Sequence, residues 1–183
     1  MKKIKIKSII ITALFSAILC ILAPWSIAVS VIPITLSVFA IFLVGALLPP
    51  VKALCAALVY IILGAIGLPV FSNFAGGFGV LLGPTGGFIL AYPVMCLCQS
   101  AIIGKEKRDV FWLVKNVVGM CVALVICYSF GSVYYMFVTE VSLKEAFAVC
   151  VIPFLVVDII KLISAVAVTY GIFKSPLYNM LRK

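Results

Sequence analysis

The chain alternates between long apolar runs and short polar interruptions, and the runs have lengths set by a bilayer rather than by a soluble core. Crossing the hydrocarbon layer takes about 20 consecutive apolar residues in a helix. Six stretches approach that length: residues 8–26, 32–48, 51–66, 87–103, 113–137 and 147–173. The second is closed by Pro49-Pro50, which cannot continue a helix. Between the third and fourth lies "GLPVFSNFAGGFGVLLGPTGG", residues 67–87, which holds seven of the thirteen glycines and no charge. "GKEKRD" (104–109) separates the fourth and fifth runs, "TEVSLKE" (139–145) the fifth and sixth, and "KSPLYNMLRK" follows the last. The pattern predicts an all-α integral membrane protein of six transmembrane helices in a single transmembrane domain, 1–183, with a glycine-rich loop over 67–86. The opening "MKKIKIKSIIITALFSAILCILA" has the basic-then-apolar form of a signal peptide. Its apolar run is long, however, and no small-x-small cleavage site follows at once, so it reads as the first span.

Composition agrees. Hydrophobic residues make up 66% of the chain and charged ones 10%, with a mean hydropathy of +1.38, whereas a soluble domain carries about 25% charged residues. A net charge of +9 invites a nucleic-acid partner, but the basic residues gather at the chain ends and in one short loop, as the positive-inside rule places them. With both termini in the cytoplasm, Lys2, Lys3, Lys5, Lys7, Lys52, Lys105, Lys107, Arg108, Lys174, Arg182 and Lys183 fall inside, and Lys144 alone falls outside. The glycine-rich loop is then extracytoplasmic. Trp25, Tyr134 and Tyr135 fall near the outer interface and Trp112 near the inner one. The absence of histidine excludes histidine metal sites and catalytic triads. The seven cysteines are odd in number and lie almost all within apolar runs, so they read as small packing residues rather than a disulfide framework. No metal or cofactor is expected.

Two features carry chemistry. The sixth run, "VCVIPFLVVDIIKLISAVAV", contains Asp158 and Lys161. A charge at membrane depth costs about 2.5–3.5 kcal/mol on insertion scales, and positions i and i+3 share a helix face. One reading is a structural ion pair. The other, favoured because ionisable groups in a membrane are functional by default, is a site for a polar, hydrogen-bonding ligand. There Asp158 accepts N–H bonds, and Lys161 either offsets the acid or meets an anionic group. No second carboxylate or histidine joins them, so a proton relay or an enzyme is poorly supported. Pro153 is expected to kink the outer part of this helix. In the loop, "NFAGGFG" offers the Asn73 amide, the faces of Phe74 and Phe78, and the bare backbone of Gly76, Gly77 and Gly79. It reads as a lid over an outward-facing pocket, against the plainer alternative of an exposed connection. "GPTGG" (83–87) is no phosphate loop, since no Gly-Lys-Ser/Thr follows. Ala13 and Ala17 form a small-xxx-small pair in the first span, a face that lets another helix approach.

"IPITLSVFAIFLVGALLPP" (32–50), "YIILGAIGLPVFSNFAGGFGVLLGPTGGFILAYP" (60–93) and "IPFLVVDIIK" (152–161) together resemble the BioY family. These are the biotin-specific substrate-binding S components of energy-coupling factor (ECF) transporters. The resemblance implies a six-helix bundle of a bacterial cell membrane that binds biotin near its outer face. It implies docking through Ala13 and Ala17 on a transmembrane coupling protein (T component) powered by two cytoplasmic ATPase subunits. ATP would be used by those subunits only, in keeping with the lack of a Gly-x-x-x-x-Gly-Lys-Ser/Thr motif in this chain. By motif position, Asn73, Asp158 and Lys161 line the biotin site with Phe74, Gly76, Gly77, Phe78 and Gly79 around them. Many members have glutamine where this chain has Ser37, so Ser37 and the nearby Thr35 are further candidates. The alternative reading is a self-sufficient transporter of a small solute with no ATPase.

Overall fold

The structure is a computed structural model and describes residues 6–27, 32–104 and 111–182. Lys2, Lys3, Lys5, Lys105, Lys107, Arg108 and Lys183, on which the expected orientation largely rests, lie outside the described residues. The rest is almost wholly helical. In order come α1 (Ile6–Leu22), the two-residue strands β1 (Ser26–Ile27) and β2 (Ile34–Thr35), α2 (Ser37–Leu47) and α3 (Pro50–Ala65). A 3-10 turn at Ser72–Phe74 and α4 (Phe78–Leu82) follow, then α5 (Gly86–Ile103), α6 (Phe111–Thr139), α7 (Leu143–Cys150), α8 (Ile152–Lys174) and α9 (Pro176–Arg182). The strands pair antiparallel, Ser26 opposite Thr35 and Ile27 opposite Ile34. α5, α6 and α8 are long and apolar enough to cross a membrane, and α1, α2 and α3 are shorter apolar helices.

Prolines and polar side chains reshape the stretches seen in the sequence. The first helix stops at Leu22, before Pro24, and Ser26 belongs to a strand. The second stretch spends its first residues on β2, leaving a helix of 11 residues, roughly 16 Å long and about half the hydrocarbon thickness. So short a helix is tolerated because protein surrounds it. Val38, Ala40, Ile41, Phe42, Val44, Gly45, Ala46 and Leu47 are all buried. Side chains of α5 hydrogen-bond to its backbone. Gln99 Nε2 donates to Phe42 O at 2.9 Å, and the Ser100 hydroxyl donates to Leu48 O, which precedes two prolines that have no N–H to offer.

The sixth stretch is two helices. The chain breaks at Val151 (φ −118, ψ −53), and Pro153 sits in the first turn of α8. The expected kink inside a continuous helix is thus a helix start, where proline's missing N–H leaves nothing unpaired. α7 begins within the segment expected to be a polar loop. Ser142 and Glu145 form a reciprocal capping box, whose bonds from the Ser142 N–H and hydroxyl hold the Glu145 carboxyl below the usual carboxylate range.

α5 and α6 share the most extensive helix–helix contact. Glycines permit it: a Cβ at Gly87 would strike Tyr134, and one at Gly131 would strike the Phe88 ring. Trp112, in the first turn of α6, is buried against its neighbours. It stacks on Phe173 at 4.1 Å and donates to the Tyr178 hydroxyl at 2.7 Å. Beside it the Arg182 guanidinium donates to the carbonyls of Gly104 (2.8 Å), Leu48 (3.2 Å) and Ser100 (3.3 Å). It thereby satisfies the exposed ends of α2 and α5, where a cation is also favoured by the helix dipoles.

Candidate functional site

α8 supplies the ion pair. Asp158 and Lys161 are 3% and 7% exposed. One carboxylate oxygen, Oδ1, accepts from Lys161 Nζ at 2.7 Å, and Oδ2 accepts from the Tyr128 hydroxyl of α6 at 2.7 Å. Helical spacing of i and i+3 makes the first contact, and the packing of α6 on α8 makes the second. The acid is therefore held by two donors, and each oxygen retains capacity to accept another bond. The break at Val151 places Asp158 less than two turns from the start of its helix.

A pocket opens beside this pair, where the first turn of α2 meets α3, α5 and α6. Thr35, Ser37 and Val38 form one wall, Tyr60 another, and Thr85, Phe88, Ile89 and Tyr92 a third. Cys127, next in sequence to Tyr128, closes the side towards Asp158, and Ile32, Pro33 and Ser72 complete the lining. Its volume is about 60 Å³. A second, larger groove of about 580 Å³ runs between the β1–β2 hairpin, α2 and α8. Its lining is mostly apolar, with Leu36, Phe39, Val157 and Ile160. Lys161 and Ser164 supply polar groups, and Thr35 is common to both cavities.

Over these lies a clasp between the glycine-rich segment and the hairpin. Asn73 takes a left-handed conformation, φ 56, which asparagine tolerates better than most residues. Its N–H donates to Ser26 Oγ at 2.9 Å and to Pro24 O at 3.1 Å, and the Ser26 hydroxyl donates to Asn73 Oδ1 at 2.8 Å. Phe74 meets Trp25 edge-on at 5.9 Å. Gly77, at φ +97, donates to Gly64 O at 2.7 Å, and Gly76 lies against the carbonyls of Gly67 and Leu68 too closely for any Cβ.

The expected residues therefore separate. Thr35, Ser37 and Lys161 reach cavity walls, whereas Asp158 lines neither cavity and is bonded to Lys161 and to Tyr128, the residue after the pocket-lining Cys127. Asn73, Phe74, Gly76, Gly77, Phe78 and Gly79 line neither cavity, and the rings of Phe74 and Phe78 are exposed. The segment's contributions to the pocket are Ser72 and Thr85. Tyr60, Tyr92 and Tyr128 do not stand out in the sequence, because tyrosine counts as apolar there. The available signal is position, since tyrosine in a span usually sits at the interfaces and these three lie within apolar runs.

A helical bundle with membrane-length apolar helices, and a hydroxyl-lined pocket next to a buried ion pair, defines a multi-pass membrane protein built around a small-molecule site. Its sequence matches the BioY family over residues 1–176, and the chain belongs to that family. It is similar to the probable biotin transporter BioY of Pyrococcus horikoshii, 36% identical over 90% of this chain and 94% of that one. It is also similar to biotin transporter BioY2 of Lactococcus lactis, 37% identical over 89% and 88% of the two chains. The biotin transporter BioY of Thermotoga maritima is 32% identical over 92% and 96%. Its fold matches the crystal structure of the S-component for biotin from an ECF-type ABC transporter. The TM-score is 0.85 at 20% identity, covering 100% of this chain and 99% of that one. The family and these relatives are transporters, and the chain is not an enzyme.

Proposed function

We propose that the chain binds biotin with high affinity and confers specificity on its uptake across the cytoplasmic membrane, as the S component of an ECF-type, ATP-driven transporter. The observation that carries the reading is the Asp158–Lys161–Tyr128 group beside the hydroxyl-lined pocket. Biotin joins a cyclic urea to a thioether ring and a carboxylate tail. Asp158 accepts from a urea N–H, Lys161 balances the acid or meets the tail, and Phe88, Ile89 and Val38 offer apolar contact. Thr35 and Ser37 contribute hydroxyls, and the clasp formed by Asn73, with Phe74, Phe78 and the glycines 76, 77 and 79, covers the site once ligand is in. The names of its relatives support biotin as that ligand.

Energy comes from other chains, a T component and two cytoplasmic ATPase subunits. Ala13 and Ala17 are exposed on α1. The neighbouring Ser16 turns inward and donates to Ala56 O at 3.0 Å, so the alanine face is available to a partner helix. Both termini lie in the cytoplasm in this reading.

Titration calorimetry on the detergent-purified chain tests it. Biotin should bind tightly, and Asp158→Asn should weaken it by ten-fold or more, the scale of a charged hydrogen bond at about 1.5–3 kcal/mol. A folded wild-type chain that gives no heat with biotin sinks the assignment.

A further inference from the structure

The pocket lies on a seam between two hydrophobic clusters. Of the residues that line it, Val38, Tyr60, Ile89, Tyr92 and Cys127 belong to the main core. Ile32 belongs instead to a satellite cluster with Tyr135 of α6, Ala146 and Cys150 of α7, Val151, and Phe154 of α8. Phe88 and Tyr128 pack against both clusters. The satellite is built on α7, and α7 is lightly held. Of its eight residues Ala146 and Cys150 are buried, while Leu143 and Phe147 are more than half exposed. Its Ser142–Glu145 cap is bonded within itself, and the Cys150 thiol has Ser132 of α6 as its polar neighbour. The segment is also jointed at both ends. Glu140 precedes it at φ 56, a left-handed conformation that a long side chain seldom takes, and Val151 is the cap residue of both α7 and α8. The glycine-rich clasp, by contrast, is rooted in the main core. Phe71 is wholly buried there against Tyr60, and the Gly77 N–H donates to Gly64 O.

We propose that α7 is a lid that swings as one piece on Glu140 and Val151, and that the pocket admits its ligand by parting along this seam. The proposal rests on the biotin reading above and adds how the site is entered. Size requires that something move, since about 60 Å³ is far below the roughly 300 Å³ that encloses a small ligand. Walls set in a close-packed core yield little, whereas a small cluster with few buried contacts opens at low cost. Hinges are a few residues at element ends that absorb the change in backbone angles, which is where Glu140 and Val151 stand. Withdrawing α7 releases Ile32 and the satellite side of Phe88 and leaves Tyr60, Tyr92 and Cys127 in place. The pocket then widens on one side without disturbing the bundle.

A cross-link tests it. Ser132→Cys sets a second thiol beside Cys150, and diamide oxidises the two to a disulfide, taking up both electrons and both protons. The link fastens the end of α7 to α6. In stopped-flow measurements on the detergent-purified full chain, biotin should enter and leave the cross-linked protein roughly ten-fold or more slowly, as a lid that gates both directions requires. Equilibrium affinity should not weaken, dithiothreitol should restore both rates, and diamide should leave the wild-type chain unchanged. Wild-type rates in fully cross-linked protein overturn the lid. So does weaker affinity with faster dissociation, which would make α7 a fixed wall that the link distorts. Hydrogen exchange on the unmodified chain decides the matter without a cross-link. Saturating biotin should slow exchange of the α7 amides and leave the middle of α5 as it was, and equal exchange of α7 with and without biotin overturns the proposal. A wild-type chain that binds no biotin removes the biotin reading itself, and this proposal with it.

Discussion

Lys161 and Asp158 each make the other tolerable. Removing one partner of a buried pair typically costs about 3–5 kcal/mol, while replacing both with apolar groups is often neutral. Lys161→Met should therefore lower the melting temperature in detergent markedly, because the acid is left with Tyr128 alone. The double variant Asp158→Leu/Lys161→Met should recover that stability and still fail to bind biotin. A double variant as unstable as Lys161→Met would show that the pair is not what the single change disrupts. This pair is legible in the sequence because a charge stands out in an apolar run and costs too much at membrane depth to be incidental. Tyr60 and Tyr92 are not legible there, since a ring that fits a span hides its hydroxyl. Asn73 stands out in the sequence as a polar group near a pocket, but its amide is engaged with Ser26, a partner 47 positions away that local pattern does not reveal.

At the scale of elements, the boundaries follow side chains rather than hydropathy. Apolar pattern places α3 and α5 to within a residue or two of Pro50–Ala65 and Gly86–Ile103. It overruns α2, because hydropathy does not distinguish an apolar strand from an apolar helix, and it merges α7 with α8, because Val151 and Pro153 are themselves apolar. The α5–α6 seam is where an element's packing reaches the pocket. Phe88 lines the cavity on one side and fills the space above Gly131 on the other. Gly131→Ala should push that ring aside and weaken biotin binding several-fold, although residue 131 lines neither of the two cavities described. Overpacking of this kind typically costs about 1–3 kcal/mol, so the melting temperature should fall as well. Wild-type affinity together with wild-type stability in Gly131→Ala would mean the seam has slack that the geometry does not show.

For the molecule as a whole, the proposed function puts ligand binding and coupling on different faces. Ala13→Trp and Ala17→Trp should leave the biotin titration unchanged and abolish uptake of labelled biotin in cells that also produce the T component and ATPases. Undiminished uptake would move the coupling surface away from α1. Accumulation of biotin in liposomes holding this chain alone would instead favour a transporter that needs no partner.

The burial of α2 also bears on how the protein is made. The helix at the centre of the bundle emerges early, and the groups that complete it arrive late. Phe42 O waits 57 residues for Gln99, and Leu48 O waits 52 for Ser100 and 134 for Arg182. Until then a helix too short to cross the bilayer has open carbonyls at its C-terminal end and incomplete walls. Lipid cannot satisfy those carbonyls, so α2, among the first helices to emerge, is among the last to be completed.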